Sequence, residues 1–132
     1  MRKLPLLNAE TQPFWTGGEV GELRMHRCGD CAQFFHPPAP ICRHCSSLNV
    51  APTAVSGRGR VLTFTINHQA WTPDLSEPYV VAIVELEEQA GLRFLSNIVN
   101  CPPQAVEIGM PVTVVFENIE DVWVPLFERA QA

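Results

Sequence analysis

Four of the five cysteines in this 132-residue chain lie close together, in the stretch CGDCAQFFHPPAPICRHC. They form two CxxC pairs, Cys28 with Cys31 and Cys42 with Cys45. Cysteines paired in this way serve as redox dithiols, as ligands in nucleic-acid-binding fingers, or as the metal ligands of a small scaffold. Each of these three chemistries makes a different demand on the rest of the chain.

The spacing of the two pairs favours a metal site. Each CxxC turn places two sulfur atoms on one side of a knuckle, and two knuckles supply the four thiolates that zinc prefers in closed structural sites. A redox dithiol needs one exposed pair at a helix N-terminus, and two symmetric pairs argue against it. Four protein ligands leave no open position for water, so we predict a structural metal. We expect zinc, and iron is the alternative that the sequence leaves open.

The remaining reactive residues are weaker candidates. His26, His36 and His44 lie near the cysteine pairs, but four cysteines already complete a tetrahedral site, so we predict surface groups or outer neighbours of the ligands. Cys101, in NCPP, is a nucleophile only if a base or a helix end lowers its pKa, and a small buried hydrophobe is the commoner role. The sequence contains no GxGxxG, P-loop, nucleophile elbow or acid–base dyad. We therefore predict that the chain is not a self-sufficient enzyme.

Charge is distributed unevenly along the chain. Residues 1–60 carry seven Lys and Arg against four Asp and Glu, a formal charge of +3. Residues 61–132 carry two against ten, a formal charge of −8. Nucleic-acid backbones are held mainly by clusters of Lys and Arg, so the C-terminal part has the wrong sign for that partner. The charge pattern disfavours nucleic-acid binding.

The sequence shows no membrane segment. It lacks a run of about eighteen apolar residues. Its first residues, MRKLPLLNAETQPFW, lack the apolar core of a signal peptide. We therefore expect a cytoplasmic protein with no membrane partner. In that reducing compartment, paired cysteines are more often metal ligands or catalytic thiols than structural disulfides.

Local patterns predict a mostly β chain. Thr11-Gln12-Pro13 is a helix-start signal, and the glycines that follow keep any helix short. Residues 23–27 alternate and predict a strand leading into the first cysteine pair. After residue 55, five segments rich in β-branched and aromatic residues predict strands: GRVLTFTIN, YVVAIVEL, LRFLSNIV, VTVVFEN and VWVPLFE. Five strands in about 70 residues fit a small closed barrel such as the OB-fold, with a flat open sandwich as the alternative.

Several phrases, taken in order, resemble a known family. They are PFW, GEL at residues 21–23, HPPAPIC within the cysteine stretch, SGRGRVLTFTI, EPYVVAIVEL, LSNIV and IGMPVTVVF. Together they resemble the two-domain zinc-ribbon/OB-fold proteins, once catalogued as a domain of unknown function, that accompany thiolase-superfamily acyl-CoA enzymes. The resemblance covers about residues 13–128. The chain departs from it at Ala32 and Ser46, which stand after the cysteine pairs where glycine is common.

The resemblance implies both a fold and a function. The fold is an N-terminal helical segment (1–24), a rubredoxin-like zinc ribbon (25–52) and a five-stranded OB-fold barrel (53–132), with the four paired cysteines as metal ligands. The function is that of a non-catalytic subunit in a hetero-oligomer with a thiolase or a lipid-transfer-protein-type thiolase/aldolase in lipid or steroid metabolism. Such a subunit supports the stability and activity of its partner, and acyl-CoA binding or channelling is a further implied role.

Two other functions stay open. One is a free-standing acyl-CoA-binding module that uses a cleft between ribbon and barrel. The other is a single-stranded nucleic-acid binder, because aromatic residues on an OB barrel stack on bases, and the acidic barrel ranks it last.

Aromatic residues and arginine most often carry interface energy, and this suggests candidate contacts with a partner or with acyl-CoA. The candidates are Phe34, Phe35, Arg58, Arg60, Trp71 and Tyr79.

Overall fold

The computed structural model describes residues 4–70, 73 and 77–130. Within them the chain forms one short helix, α1 (Gln12–Thr16), two 3₁₀ turns at Gly17–Val20 and Pro103–Ala105, and eight strands. The strands are β1 (Leu23–Cys28), β2 (Phe34–Phe35), β3 (Val50–Val55), β4 (Arg58–Asn67), β5 (Tyr79–Leu86), β6 (Arg93–Val99), β7 (Pro111–Ile119) and β8 (Val122–Arg129). In this part of the chain, no helix has both the length and the apolar character needed to cross a bilayer.

The N-terminal segment is a short helix held against the barrel. Pro13 lies in its first turn, where the missing N–H is tolerated. The glycines that shorten the helix also let the backbone approach the barrel closely. A Cβ atom on Gly18 would lie within 2.5 Å of Trp123 and 2.6 Å of Phe116. The 3₁₀ turn therefore needs glycine at this point for its packing.

The first sheet, which we call the ribbon sheet, has the strand order β2–β1–β3, and both pairs are antiparallel. The strand predicted from residues 23–27 is β1, and its Leu23, Met25 and Cys28 side chains are buried. β1 pairs along its whole length with β3, from Leu23 opposite Val55 to Cys28 opposite Val50. β3 ends at Val55 and β4 begins at Arg58, so this first sheet connects almost directly to the barrel.

The other five strands close into a ring in the order β4–β5–β6–β8–β7. All neighbours are antiparallel except β6 and β8, which run parallel. A short pairing of β4 with β7, from Arg58 opposite Thr113 to Arg60 opposite Pro111, completes the ring. The five predicted strands and the OB-type barrel are confirmed. The closed ring excludes the flat open sandwich.

One hydrophobic core joins all parts of the fold. Successive side chains of a strand face opposite sides of the sheet, and alternate side chains of β5 point into the core: Val80, Ala82, Val84 and Leu86. The same cluster contains Phe14 of the helix and Leu23 and Met25 of β1. Helix, ribbon sheet and barrel therefore pack on a shared set of apolar side chains.

A glutamine in the turn between β5 and β6 links the ribbon sheet to the barrel through two hydrogen bonds. The Gln89 side-chain amide donates to the carbonyl oxygen of Phe34 at 2.9 Å. The backbone N–H of Phe34 donates to the Gln89 Oε1 atom at 2.8 Å. Gln89 thus pairs with the backbone at β2 as a neighbouring strand would, and it satisfies two part-buried polar groups that otherwise lack a partner strand.

Replacing Gln89 should weaken this junction. We expect Gln89→Ala to lower the free energy of unfolding by about 1–3 kcal/mol, because it leaves the N–H and C=O groups of Phe34 unpaired. Gln33→Ala is the matched control, since Gln33 is an exposed glutamine in the same region. Urea denaturation followed by tryptophan fluorescence measures both variants. Equal midpoints for the two variants would contradict the role assigned to Gln89.

Candidate metal centre

The two cysteine pairs sit on two similar turns. The backbone N–H of Ala32 donates to the carbonyl oxygen of Cys28 at 2.9 Å, and that of Ser46 donates to Cys42 at 2.9 Å. Ala32 and Ser46 both have positive φ angles, 64° and 65°. Left-handed backbone of this kind is unfavourable for residues other than glycine. Both non-glycine residues nevertheless adopt the conformation, so the knuckle geometry is kept.

Backbone N–H groups surround the sulfur atoms. Asp30 and Cys31 point their N–H groups at Cys28 Sγ, at 3.4 Å and 3.5 Å. The His44 N–H points at Cys42 Sγ at 3.3 Å. Such donors stabilise a thiolate relative to a thiol. The N–H of Cys31, together with that of Asp30, lowers the pKa of Cys28 to about 7.

The four sulfur atoms lie together, and all four cysteines are free. Cys28 Sγ is 3.6 Å from Cys45 Sγ, and Cys31 Sγ is 3.7 Å from Cys42 Sγ. All four ligand atoms lie within 4.8 Å of one another. A zinc–sulfur distance of about 2.3 Å places the corners of a regular tetrahedron about 3.8 Å apart. The donor set therefore fits a tetrahedral zinc ion, which would hold the two knuckles together.

Further contacts stabilise the turns around the cluster. The Ser47 hydroxyl donates to the Asp30 carboxylate, and Asn49 Nδ2 donates to the same group at 3.2 Å. The pKa of Asp30 is lowered, chiefly by the hydrogen bond from Ser47. Because Asp30 belongs to the first knuckle and Ser47 follows the second, this network joins the two turns.

The three nearby histidines differ in their surroundings. The cluster of possible ligands consists of the four cysteines, so no histidine takes part in it among the described residues. His44 is exposed, whereas His26 is buried beside the Phe35 ring at 5.7 Å. His36 points away toward α1, and burial lowers its pKa to about 4.

The structure separates the two phenylalanines that lie between the pairs. Phe35 has an exposed fraction of 2% and packs against Cys28 and Cys42. Its side chain therefore belongs to the small core under the metal site, and its role as a partner contact stays a prediction. Phe34 is half-buried, and the Arg27 guanidinium lies 5.7 Å from its ring centroid.

The other contact candidates that the structure describes lie on the barrel strands β4 and β5. Arg58 forms an ion pair with Glu87 at 3.1 Å, and Arg60 forms one with Glu85 at 3.0 Å. These pairs leave less of each guanidinium for a phosphate group. Tyr79 is half-buried at the first position of β5. Trp71 lies outside the described residues.

Two sets of contacts were not predicted from the sequence. Gln89 could not be recognised, because its partner is a backbone segment 55 positions away. Phe94 and His36 join Phe14 and Trp15 in an aromatic cluster beside the barrel. The phrase PFW was the only sequence signal for this cluster.

Metal content tests the site directly. We expect about one zinc ion per purified chain, and less than about a fifth of that in Cys42→Ser, because a buried ligand is lost. The Cys42→Ser chain should also unfold at lower urea, since metal binding contributes to the folding free energy. Plasma emission spectrometry measures the metal, and Cys101→Ser is the matched control. Zinc retained by Cys42→Ser, or lost by Cys101→Ser, would contradict this assignment, and iron in place of zinc would select the alternative metal.

Comparison with family models gives two adjacent matches. Residues 15–51 match the rubredoxin-like zinc ribbon domain of ChsH2, and residues 52–117 match the C-terminal OB-fold domain of ChsH2. These matches confirm the predicted zinc ribbon followed by an OB-fold.

Three curated relatives are similar in sequence. The probable enoyl-CoA hydratase alpha subunit of Thermomonospora curvata is 34% identical over 98% of this chain and 40% of its own length. The 3-oxo-4,17-pregnadiene-20-carboxyl-CoA hydratase alpha subunit of Mycobacterium tuberculosis is 36% identical over 89% of this chain and 37% of its own length. A DUF35 domain-containing scaffold protein of Methanocaldococcus jannaschii is 38% identical over 72% of this chain and 67% of its own length. The chain thus spans about two fifths of the length of the two hydratase subunits.

A solved structure is similar over nearly the whole chain. The Ltp2-ChsH2(DUF35) aldolase contains a chain that is 32% identical, with a TM-score of 0.85. The match covers 97% of this chain and 100% of that one.

Proposed function

Because this chain belongs to the ChsH2 (DUF35) family of zinc-ribbon and OB-fold proteins, we propose that it is a non-catalytic accessory subunit of a thiolase-like acyl-CoA enzyme. In this role it binds the enzyme as a hetero-oligomer and supports its stability and activity. The zinc ribbon has a structural role, and the partner enzyme carries out the catalytic reaction.

The observation that carries this proposal is the structural match to the Ltp2-ChsH2(DUF35) aldolase. That protein is named as an assembly of two components, and one of its chains is matched over 100% of its length. Since this chain has both of the family's domains in the same order, we take the matched chain to be the ChsH2(DUF35) component. The name scaffold protein, given to the relative from Methanocaldococcus jannaschii, also supports a non-catalytic role.

The distribution of reactive groups supports the same role. Four cysteines face one another in the metal cluster. Cys101 is half-buried and packs against the hydrophobic core, which favours its interpretation as an apolar side chain. The buried histidines have lowered pKa values because of desolvation, and each contacts an aromatic ring.

Acyl-CoA and nucleic acid fit the described surface less well. Both ligands carry phosphate groups, which need unpaired Lys or Arg. Arg58 and Arg60 are paired with Glu87 and Glu85. The region from residue 61 onward has a formal charge of −8. We therefore place acyl-CoA chemistry on the partner enzyme.

Co-expression tests the accessory role. We expect the chain to co-elute on size-exclusion chromatography with a thiolase-superfamily enzyme from its source organism, and to raise that enzyme's soluble yield and specific activity. Cys101→Ser should act like the unaltered chain, whereas Cys42→Ser should not, because it lacks a folded ribbon. If every such enzyme is soluble and fully active alone and never co-elutes with the chain, the proposal fails.

A further inference from the structure

A groove of about 490 Å³ runs between the helix, the ribbon and the barrel. Its walls are formed by α1, by strands β6 and β8, and by the loop that follows β2. The residues used below are Phe14, Trp15, His36, Arg93, Phe94 and Leu95. We call it the α1–β6 groove.

The inner wall of the α1–β6 groove is a rigid set of rings. The Phe14 centroid lies 4.9 Å from that of Trp15 and 5.0 Å from that of His36. His36 lies 5.6 Å from Phe94, which in turn packs 5.4 Å from Phe127 in the barrel core. Because Phe14 and Phe94 are themselves buried in the shared core, the groove exists before any partner binds.

The polar groups of the groove offer little to a polar ligand. The Ser96 hydroxyl donates to the carbonyl oxygen of Pro125 at 2.9 Å, and Asn97 Nδ2 donates to Val80 at 2.7 Å. The His36 ring is uncharged at neutral pH, since burial lowers its pKa to about 4. Its Nδ1 atom is buried, so it is not exposed to a ligand in the groove. The inner wall therefore suits an apolar occupant.

The outer edge of the groove is apolar and open to solvent. Leu95 has an exposed fraction of 66% although it lies in the middle of β6. Trp15 is half-buried and lines the same groove. An exposed apolar side chain that continues a groove is typical of a protein interface, whereas small-molecule sites enclose most of their ligand.

The same edge carries the guanidinium group of Arg93. One carboxylate, that of Glu85, is shared by two guanidiniums, with Arg60 at 3.0 Å and Arg93 at 3.4 Å. The hydrogen bond from Arg60 is the main reason that the pKa of Glu85 is lowered, so Glu85 is ionised at neutral pH. Arg60 lies closer to Glu85 than Arg93 does, so the charge of Arg93, whose side chain is 54% exposed, is only partly balanced. This charge complements an acidic group on a partner.

We propose that the α1–β6 groove is the surface on which the partner enzyme docks. An aromatic or branched aliphatic side chain of the enzyme enters the groove between Trp15 and Leu95. An acidic residue next to it on the enzyme pairs with Arg93. This inference rests on the proposed accessory function, and it names the surface that function uses. Tryptophan and arginine at one edge of an apolar groove are the residue types that most often dominate interface energy.

A charge substitution at the groove edge tests the proposal. Leu95→Glu and Arg93→Glu should each weaken binding of the enzyme at least tenfold, measured as Kd by titration calorimetry with the partner found by co-elution. Leu95→Glu buries a carboxylate in an apolar contact, and Arg93→Glu places like charges together. The matched control is Leu48→Glu, because Leu48 is a leucine on the ribbon with an exposed fraction of 77%. Its Kd should stay within twofold of the unaltered chain.

The outcomes separate the groove from the accessory function. Zinc content and the urea midpoint confirm that each variant is folded. If the unaltered chain binds no enzyme, the accessory function fails and the groove proposal falls with it. If the unaltered chain binds and Leu95→Glu binds equally well, only the groove proposal is overturned.

Two other occupants would also overturn it. One is a second copy of this chain, shown by a dimer in light scattering that Leu95→Glu dissociates while enzyme binding is unchanged. The other is a free acyl chain, shown by decanoyl-CoA binding that Leu95→Glu abolishes while enzyme binding is unchanged.

Discussion

The convergence of four sulfur atoms is the constraint on which the rest of the structure depends. The ribbon has a very small core of its own, formed by Cys28, Phe35 and Cys42. A segment of about 30 residues cannot bury enough apolar surface to fold alone and needs a metal or another staple. The cluster holds the end of β1 against the second knuckle. It thereby sets the position of β3, which pairs with β1 and leads into the barrel.

The metal-held ribbon and the closed barrel act as one body because they share contacts at their junction. Phe14, Leu23 and Met25 pack in the same core as the barrel strands, and Gln89 pairs with the backbone at β2. This junction places the aromatic rings of the α1–β6 groove against one another. A subunit without chemistry of its own acts by presenting a rigid surface, since a preformed surface loses little conformational entropy on binding.

Features with local causes were predictable from the sequence, and those set by distant pairing were not. The knuckles and the five barrel strands follow from short patterns of cysteines and of alternating residues. β3 was missed because VAPTAV contains a proline and small residues, and it is a strand through its pairing with β1. Which of Phe34 and Phe35 packs under the metal site depends on the strand register. Phe35 lies opposite His26 and packs against the metal-site cysteines. The predicted boundary at 52/53 lies within β3 and stays a prediction.

We propose that this chain works by docking on an acyl-CoA enzyme through one side of its fold. Hydrogen–deuterium exchange of the chain, measured alone and with the co-eluting enzyme, tests this most directly. Docking through the α1–β6 groove should slow exchange in residues 12–20 and 93–99, with little change in residues 41–49 around the second knuckle. Unchanged exchange in the first two segments, with slowing confined to the second knuckle, would contradict it.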